Sequence, residues 1–444
     1  MGRLFGTDGV RGKANRDLTP GLAYRLGRAV AEILVEDAEE PSITIGKDTR
    51  ISGDMLEAAL IAGICSRGVN VYRLGVLPTP AIAYLTRHLK ADAGAVISAS
   101  HNPYEDNGIK FFNRFGFKLS DELEDQIEAL VTEKEDSLPF PEGKGIGHVI
   151  DFENAREIYA DYLRKNFPRS LEGIRVVVDC ANGAASEVSP EVLQALGAEL
   201  TVINSHPNGY NINDGCGSTH LDQLKEEVIR QKADIGIAHD GDADRMLAID
   251  ETGAEVDGDK ILVIAGTWLA ARGELKENTV VVTVMSNMGL RKAFAEAGID
   301  VLTTKVGDRY VLEEMLRAGA CLGGEQSGHI IFTDYNTTGD GLMSALMLLQ
   351  VMKETGKPLS VLASAMEVFP QVLVNVVVRD KGEAMANPEF LEAIRRAEED
   401  LGDTGRILVR PSGTEPKIRI MVEGQRDIEK LDEMARKLKR IIAG

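Results

Sequence analysis

The chain has 444 residues, which at a rough 150 residues per domain predicts about three domains, or four if one is small. Its 43% hydrophobic and 27% charged content excludes a disordered or fibrous chain. A net charge of −20 opposes nucleic acid and anionic lipid surfaces, so neither nucleic acid nor membrane is expected as a partner.

A helix is predicted after Thr19 as cap and Pro20 in the first turn, because Leu22, Leu26, Ala29, Val30, Ile33 and Leu34 share one helical face. SITIGKD follows as a strand, then a helix from about Asp54 to Arg67 stopped by Gly68, then strands in VNVYRLG and AGAVISAS. This rhythm implies βαβ units with a parallel sheet. LPFPEGKGIG, from Leu138 to Gly147, has the composition of a linker. A second unit runs through IRVVVDC, AELTVIN and ADIGIAHD, and a third through NTVVVTVMS, IDVLTTKVG and CLGGEQSGHIIF. LVNVVV, RILVRPSG, KIRIMVEG and a terminal amphipathic helix suggest a smaller α+β domain. The expected domains are therefore 1–150, 151–252, 253–368 and 369–444, three α/β domains with mixed, mostly parallel sheets and a C-terminal α+β domain.

Cys65, Cys180, Cys216 and Cys321 form no CxxC pair and read as reduced thiols. The opening MGRLFGTDGVRG lacks the apolar core of a signal peptide, and Ile261–Ala271 is far short of the ~20 residues that span a bilayer, so a cytoplasmic location is expected.

Each predicted unit ends a strand in a loop rich in Gly and polar residues, and such loops in open α/β sheets line one ligand cleft. In DGDAD, Asp240, Asp242 and Asp244 alternate, so an extended loop points all three carboxylates one way and asks for a hard cation such as Mg²⁺. A solvated acidic turn is the bland alternative. A calcium EF-hand loop fails because Arg245 stands where Gly is needed. In SASHNP, Ser100 lies just past a strand, as a nucleophile or as a turn serine. His101, next to it, points away in extended geometry and is a poor base. RPSGTEPKIRI offers Arg410, Ser412, Gly413, Thr414 and Arg419 as a phosphate cradle, against the alternative of a β-turn flanked by surface arginines. In GGEQSGH, Glu325 and Ser327 offer acceptors and donors for hydroxyls and His329 can shuttle protons near neutral pH, against the alternative of a packed or surface histidine.

Taken in order, SASHNP, DGDADR, GEQSGH and RPSGTEP resemble the signature loops of the α-D-phosphohexomutases, over essentially the whole chain. The resemblance implies that Ser100 is carried as phosphoserine, and that Asp240, Asp242, Asp244 and a phosphate oxygen on Ser100 hold one Mg²⁺. It implies that Glu325 and Ser327 read the sugar and that Arg410, Ser412, Gly413, Thr414 and Arg419 grip the phosphate not being transferred. Lys110, Arg11 and His329 match the groups for proton transfer and charge stabilisation. The implied reaction passes through a sugar 1,6-bisphosphate that turns around between two phosphoryl transfers, which calls for a mobile fourth domain. FGTDGVRG, GEQSGH and TTGDG look like the amino-sugar branch, implying interconversion of glucosamine 6-phosphate and glucosamine 1-phosphate for cell-wall precursors, and a homodimer. A mutase of mannose or glucose phosphates shares these loops. A metal-dependent sugar phosphatase with Asp240 as nucleophile is a further alternative, and it leaves Ser100 without a role.

Overall fold

The computed structural model describes residues 4–6, 8–35, 40–133, 137–167, 169–411 and 416–443. They form two compact bodies, one of residues 1–285 and 299–365, the other of residues 286–298 and 366–444.

Three sheets build the first body. The strands of the first are β1 (Val10–Lys13), β2 (Ser42–Lys47), β3 (Asn70–Val76), β4 (Ala93–Ile97), β5 (Asp106–Asn113) and β6 (Val149–Asp151). They lie in the order β1-β5-β4-β2-β3-β6, parallel from β4 through β6 and antiparallel at β1/β5 and β5/β4. Strand alternation sorts the side chains. Ile43, Ile45, Val71, Ala93 and Ala95 turn to a core shared with the helices Pro20–Leu34, Gly53–Cys65 and Asp121–Thr132. Thr44 turns the other way and meets Thr86, in the helix Thr79–His88, at 2.7 Å.

The helix at Pro20 starts as its sequence dictates, with Thr19 Oγ1 accepting from the amide of Leu22 and Pro20 in the first turn. It crosses Gly53–Cys65 where two glycines meet. A Cβ at Gly63 would lie 2.1 Å from the carbonyl oxygen of Tyr24, and one at Gly27 would lie 2.4 Å from that of Leu60. Backbone is in contact with backbone there, so neither position has room for a side chain. The segment 138–147, with the composition of a linker, is tied down: Arg28 donates to the Leu138 carbonyl at 2.7 Å and stacks over Phe140, and the Gly147 amide bonds the Cys65 carbonyl.

The second sheet contains β7 (Arg175–Asp179), β8 (Glu199–Ile203), β9 (Ile235–His239), β10 (Met246–Asp250) and β11 (Glu255–Val256), in the order β11-β10-β9-β7-β8. The third contains β12 (Thr279–Thr283), β13 (Asp300–Thr304), β14 (Leu322–Gly324) and β15 (Ile330–Phe332), in the order β13-β12-β14-β15. In both, the β-branched runs form parallel central pairs with an antiparallel edge.

The second body holds an antiparallel sheet of β16 (Gln371–Val377), β17 (Gly405–Pro411) and β18 (Lys417–Gly424), with β18 in the middle. Its inner face, carrying Val376, Ile418, Ile420 and Val422, packs on Phe390 and Leu401 of helix Pro388–Leu401 and on Leu431, Ala435 and Leu438 of helix Ile428–Ile442. On the opposite face buried Glu423 accepts from Arg406 and from the Met288 amide, tying the helix Met288–Glu296 to this body. Among the described residues no helix is long and apolar enough to cross a membrane.

An alanine inside a helix ordinarily gains up to about 1 kcal/mol over glycine. At Gly63 the sign should reverse, because a methyl group forced against the Tyr24 carbonyl costs about 1–3 kcal/mol. Gly63→Ala is therefore expected to lower the urea midpoint, and a raised midpoint would show that the helix crossing is loose.

Candidate functional site

The loop after β9 lies at the meeting point of the first body's three sheets and is held there by main-chain bonds. The Thr79 amide donates to the Asp242 carbonyl at 2.9 Å, Gly341 to Ala243 at 3.0 Å, and Met246 to Gly328 at 3.1 Å. The loop is a turn rather than an extended stretch, with Ala243 at φ 54°, yet the three carboxylates converge as the sequence suggests. One oxygen from each of Asp240, Asp242 and Asp244 lies within 4.8 Å of the others, and all three residues are buried. Gly241 has no room for a side chain, because a Cβ would sit 2.5 Å from the Ser100 carbonyl oxygen.

Ser100 stands three residues past β4 in the left-handed region, at φ 51°, and is buried. Its Oγ donates to Asp240 Oδ2 at 2.5 Å. The turn also corrects the expectation for His101. In extended backbone its ring would point away, but left-handed Ser100 brings His101 Nδ1 to 3.3 Å from Ser100 Oγ. Burial, together with Arg245 and Arg11, depresses the His101 pKa to about 4, so the ring is neutral at physiological pH.

Cations surround the aspartates. Lys110, on β5, reaches Asp242 Oδ2 at 2.6 Å and Asp244 Oδ2 at 3.4 Å. Burial alone would lower its pKa, but Asp242, Asp8 and Asp244 outweigh burial and hold it protonated, so it acts as a fixed positive charge. Arg11 pairs with Asp8 and donates to the Ala99 carbonyl. Its cross-strand partner Gly108 lies two residues before Lys110, so Arg11 and Lys110 share a sheet face. His329 is 2% exposed, and its Nε2 accepts from the Gly339 amide at 3.0 Å, which leaves the proton on Nδ1, 3.6 Å from Asp244 Oδ1.

The carboxylates fit a bound cation. Asp242 Oδ2 is taken by Thr79 Oγ1 at 2.6 Å and by Lys110, while Asp242 Oδ1 and Asp244 Oδ1 are buried with no hydrogen-bond partner. Bare buried carboxylate oxygens are costly unless a cation binds them. Without one, burial and the neighbouring Asp242 and Asp244 push the Asp240 pKa well above the carboxylate range.

The β14–β15 turn carries Glu325, whose Oε1 accepts from the Gly307 amide at 3.0 Å, and Ser327, whose Oγ is buried without a partner. In the second body Arg410 and Arg419 face each other across β17 and β18. Ser412, Gly413 and Thr414 lie outside the described residues.

Four participants escaped the sequence reading. Lys118 bridges Asp8, at 2.6 Å, and Asp308. Asp308 also lies 3.4 Å from His329 Nε2. Arg245 donates its amide to Asp240 Oδ1 at 3.2 Å, and its place directly after DGDAD was the available clue.

Models of the phosphoglucomutase/phosphomannomutase family match the chain four times: α/β/α domain I at residues 2–137, domain II at 157–253, domain III at 257–369 and the C-terminal domain at 373–441. A phosphoglucosamine mutase of Desulforamulus reducens is 58% identical over 442 residues, covering 100% of this chain and 99% of the relative. One of Carboxydothermus hydrogenoformans is 61% identical over 424 residues, covering 96% of each. Two solved structures share the fold. A phosphoglucomutase/phosphomannomutase family protein of Burkholderia thailandensis matches with TM-score 0.84 at 24% identity, covering 100% of this chain and 98% of that one. An Aspergillus fumigatus N-acetylphosphoglucosamine mutase, in complex with GlcNAc-6P and magnesium, matches with TM-score 0.71 at 18% identity, covering 99% and 95%.

Replacing Asp242 by Asn removes one of the two bare oxygens from the carboxylate cluster. Affinity for Mg²⁺ or Mn²⁺, measured by calorimetric titration, should fall on the order of 10- to 100-fold. Unchanged affinity would place the cation elsewhere.

Proposed function

The chain belongs to the phosphoglucosamine mutases of the phosphoglucomutase/phosphomannomutase family, and on that premise we propose that it interconverts glucosamine 6-phosphate and glucosamine 1-phosphate in the cytoplasm. The observation that carries this reading is the approach of Ser100 Oγ to within 2.5 Å of Asp240 in a buried three-carboxylate cluster. A hydroxyl placed there can carry a phosphoryl group beside a cation.

In the proposed cycle Ser100 carries the phosphoryl group. The free hydroxyl of a sugar monophosphate attacks phosphorus, the P–O bond to Ser100 breaks, and a 1,6-bisphosphate forms as the hydroxyl's proton passes, in net, to the departing Ser100 Oγ. After the bisphosphate turns around, Ser100 Oγ attacks the other phosphate, the P–O bond to the sugar breaks, and the Ser100 proton passes, in net, to the oxygen that becomes the product's new hydroxyl. Asp240, Asp242 and Asp244, with a phosphoryl oxygen on Ser100, would hold Mg²⁺, which would supply Lewis-acid neutralisation of the transferring group. Lys110, Arg11 and Arg245 add fixed positive charge around the same atoms, the stabilisation that phosphoryl transfer demands most. His329, with its Nδ1 proton facing Asp244, orients that carboxylate. Glu325 and Ser327 read the sugar. Arg410 and Arg419, with Ser412, Gly413 and Thr414, hold the phosphate that stays.

The test is kcat/KM for glucosamine 6-phosphate, glucose 1-phosphate and mannose 1-phosphate, with Mg²⁺ and a bisphosphate primer. Preference for the amino sugar supports the reading, and equal or better rates on the others assign the enzyme to general hexose phosphates. Ser100→Ala should abolish turnover, and retained activity would remove the seryl carrier. Arg419→Ala is expected to raise KM roughly tenfold with kcat little changed, since it removes binding common to ground and transition states. A fall in kcat at constant KM would assign Arg419 to the transferring phosphate.

A further inference from the structure

We infer that Arg50, with its partner Asp48, is the positioning residue that holds Ser100 in its left-handed conformation and thereby aims Oγ at the aspartate cluster. This inference rests on the reading of Ser100 as the carrier of the transferred phosphoryl group.

Serine has no intrinsic preference for φ 51°, so the surroundings must impose that angle. Arg50 and Asp48 are 3% and 1% exposed. The guanidinium has five N–H donors, and the structure gives it five acceptors. Nη2 donates to the carbonyls of Ser100 and Asn102, each at 2.8 Å. Nη1 donates to the carbonyls of Pro103 and of Asp106, the latter at 3.1 Å. Nε donates to Asp48 Oδ2 at 2.8 Å. The turn carrying Ser100 is thus wrapped around one buried cation.

The same ion pair grips the other side of Ser100. The Ser100 amide donates to Ser98 Oγ at 2.9 Å, and Ser98 Oγ donates to Asp48 Oδ2 at 2.6 Å. The peptide groups before and after the Ser100 Cα are therefore both fastened to Asp48–Arg50, one through Ser98 and one directly, which leaves φ and ψ little freedom. Asn213 adds a bond from the second sheet's domain, its Nδ2 donating to the Ser100 carbonyl at 2.9 Å and to that of Asn102 at 3.1 Å. Lysine cannot replace this arrangement, because three donors on one nitrogen cannot reach five acceptors spread around a planar fork.

The experiment uses the full chain, glucose 1,6-bisphosphate and Mg²⁺. Intact-mass spectrometry gives the initial rate of Ser100 phosphorylation, the KM for the bisphosphate comes from the same progress curves, and thermal melting is recorded alongside. Arg50→Lys should slow labelling on the order of 100-fold, with KM within about threefold, as expected when a reacting atom is displaced by about 1 Å. Ser98→Ala, which cuts only the amide-side link, should slow it roughly tenfold. Ser98→Ala combined with Arg50→Lys should lose little more than Arg50→Lys alone, because both act through one circuit. Labelling of folded Arg50→Lys and Ser98→Ala at the wild-type rate would overturn the inference. So would losses that only track the fraction of unfolded protein. If Arg50→Lys does not fold, Ser98→Ala and Asn213→Ala test the circuit from its other ends, and wild-type rates in both would overturn it equally. Failure of the wild-type chain to take up a phosphoryl group would instead remove the seryl carrier itself.

Discussion

Three buried carboxylates with oxygens within 4.8 Å of one another repel, and the charges placed around them answer that repulsion. Lys110 lies against two of them, Arg245 accompanies Asp240 and Asp244, and His329 directs a proton toward Asp244. Asp8 in turn faces Lys110, Arg11 and Lys118, and Lys118 also pairs with Asp308. The result is an alternating lattice of charge in which Asp242 Oδ1 and Asp244 Oδ1 still lack hydrogen-bond partners, a gap that suits a further cation. Lys110 and Arg245 bring positive charge up to these carboxylates, the kind of charge that stabilises phosphoryl transfer.

The lattice also explains why the domains of the first body meet where they do. Asp8, Arg11, Lys110 and Lys118 come from the first sheet and its flanks, the aspartate loop from the second, and Asp308 and His329 from the third. Arg11 and Lys118 find Asp8 within their own domain, but Lys110 reaches Asp242 and Asp244, and Lys118 reaches Asp308, only across the seam. Burial of the seam and assembly of the site are therefore one event.

The sequence was legible wherever the cause is local. The runs VVVD, IGIAH and TVVVT form central strands because β-branched residues buried on both faces suit parallel sheets, and Thr19 with Pro20 starts a helix for reasons contained in four residues. DGDAD was readable because its chemistry lies within five residues. Lys118 and Asp308 were not, because 190 residues separate them and nothing adjacent to either announces the other. Arg50 was not legible for a different reason, since four of its five acceptors are carbonyl oxygens, which leave no mark on a sequence. His101 was misjudged because the reading assumed extended backbone, whereas the sign of one φ angle at Ser100 decides where the next ring points.

The bonds that centre the aspartate loop run from amides at Thr79, Met246 and Gly341 to carbonyl oxygens. No side-chain exchange at those positions deletes a donor; among the common amino acids only proline does. One of those carbonyls, that of Gly328, belongs to the turn between β14 and β15, so the turn that carries Glu325 and Ser327 is also an anchor of the aspartate loop. Gly341 is the exception among the donors, because a Cβ there would lie 2.3 Å from the Arg245 carbonyl oxygen. At Thr79 and Met246 the anchoring bond outlasts a change of side chain, so the place of the loop is written in the main chain.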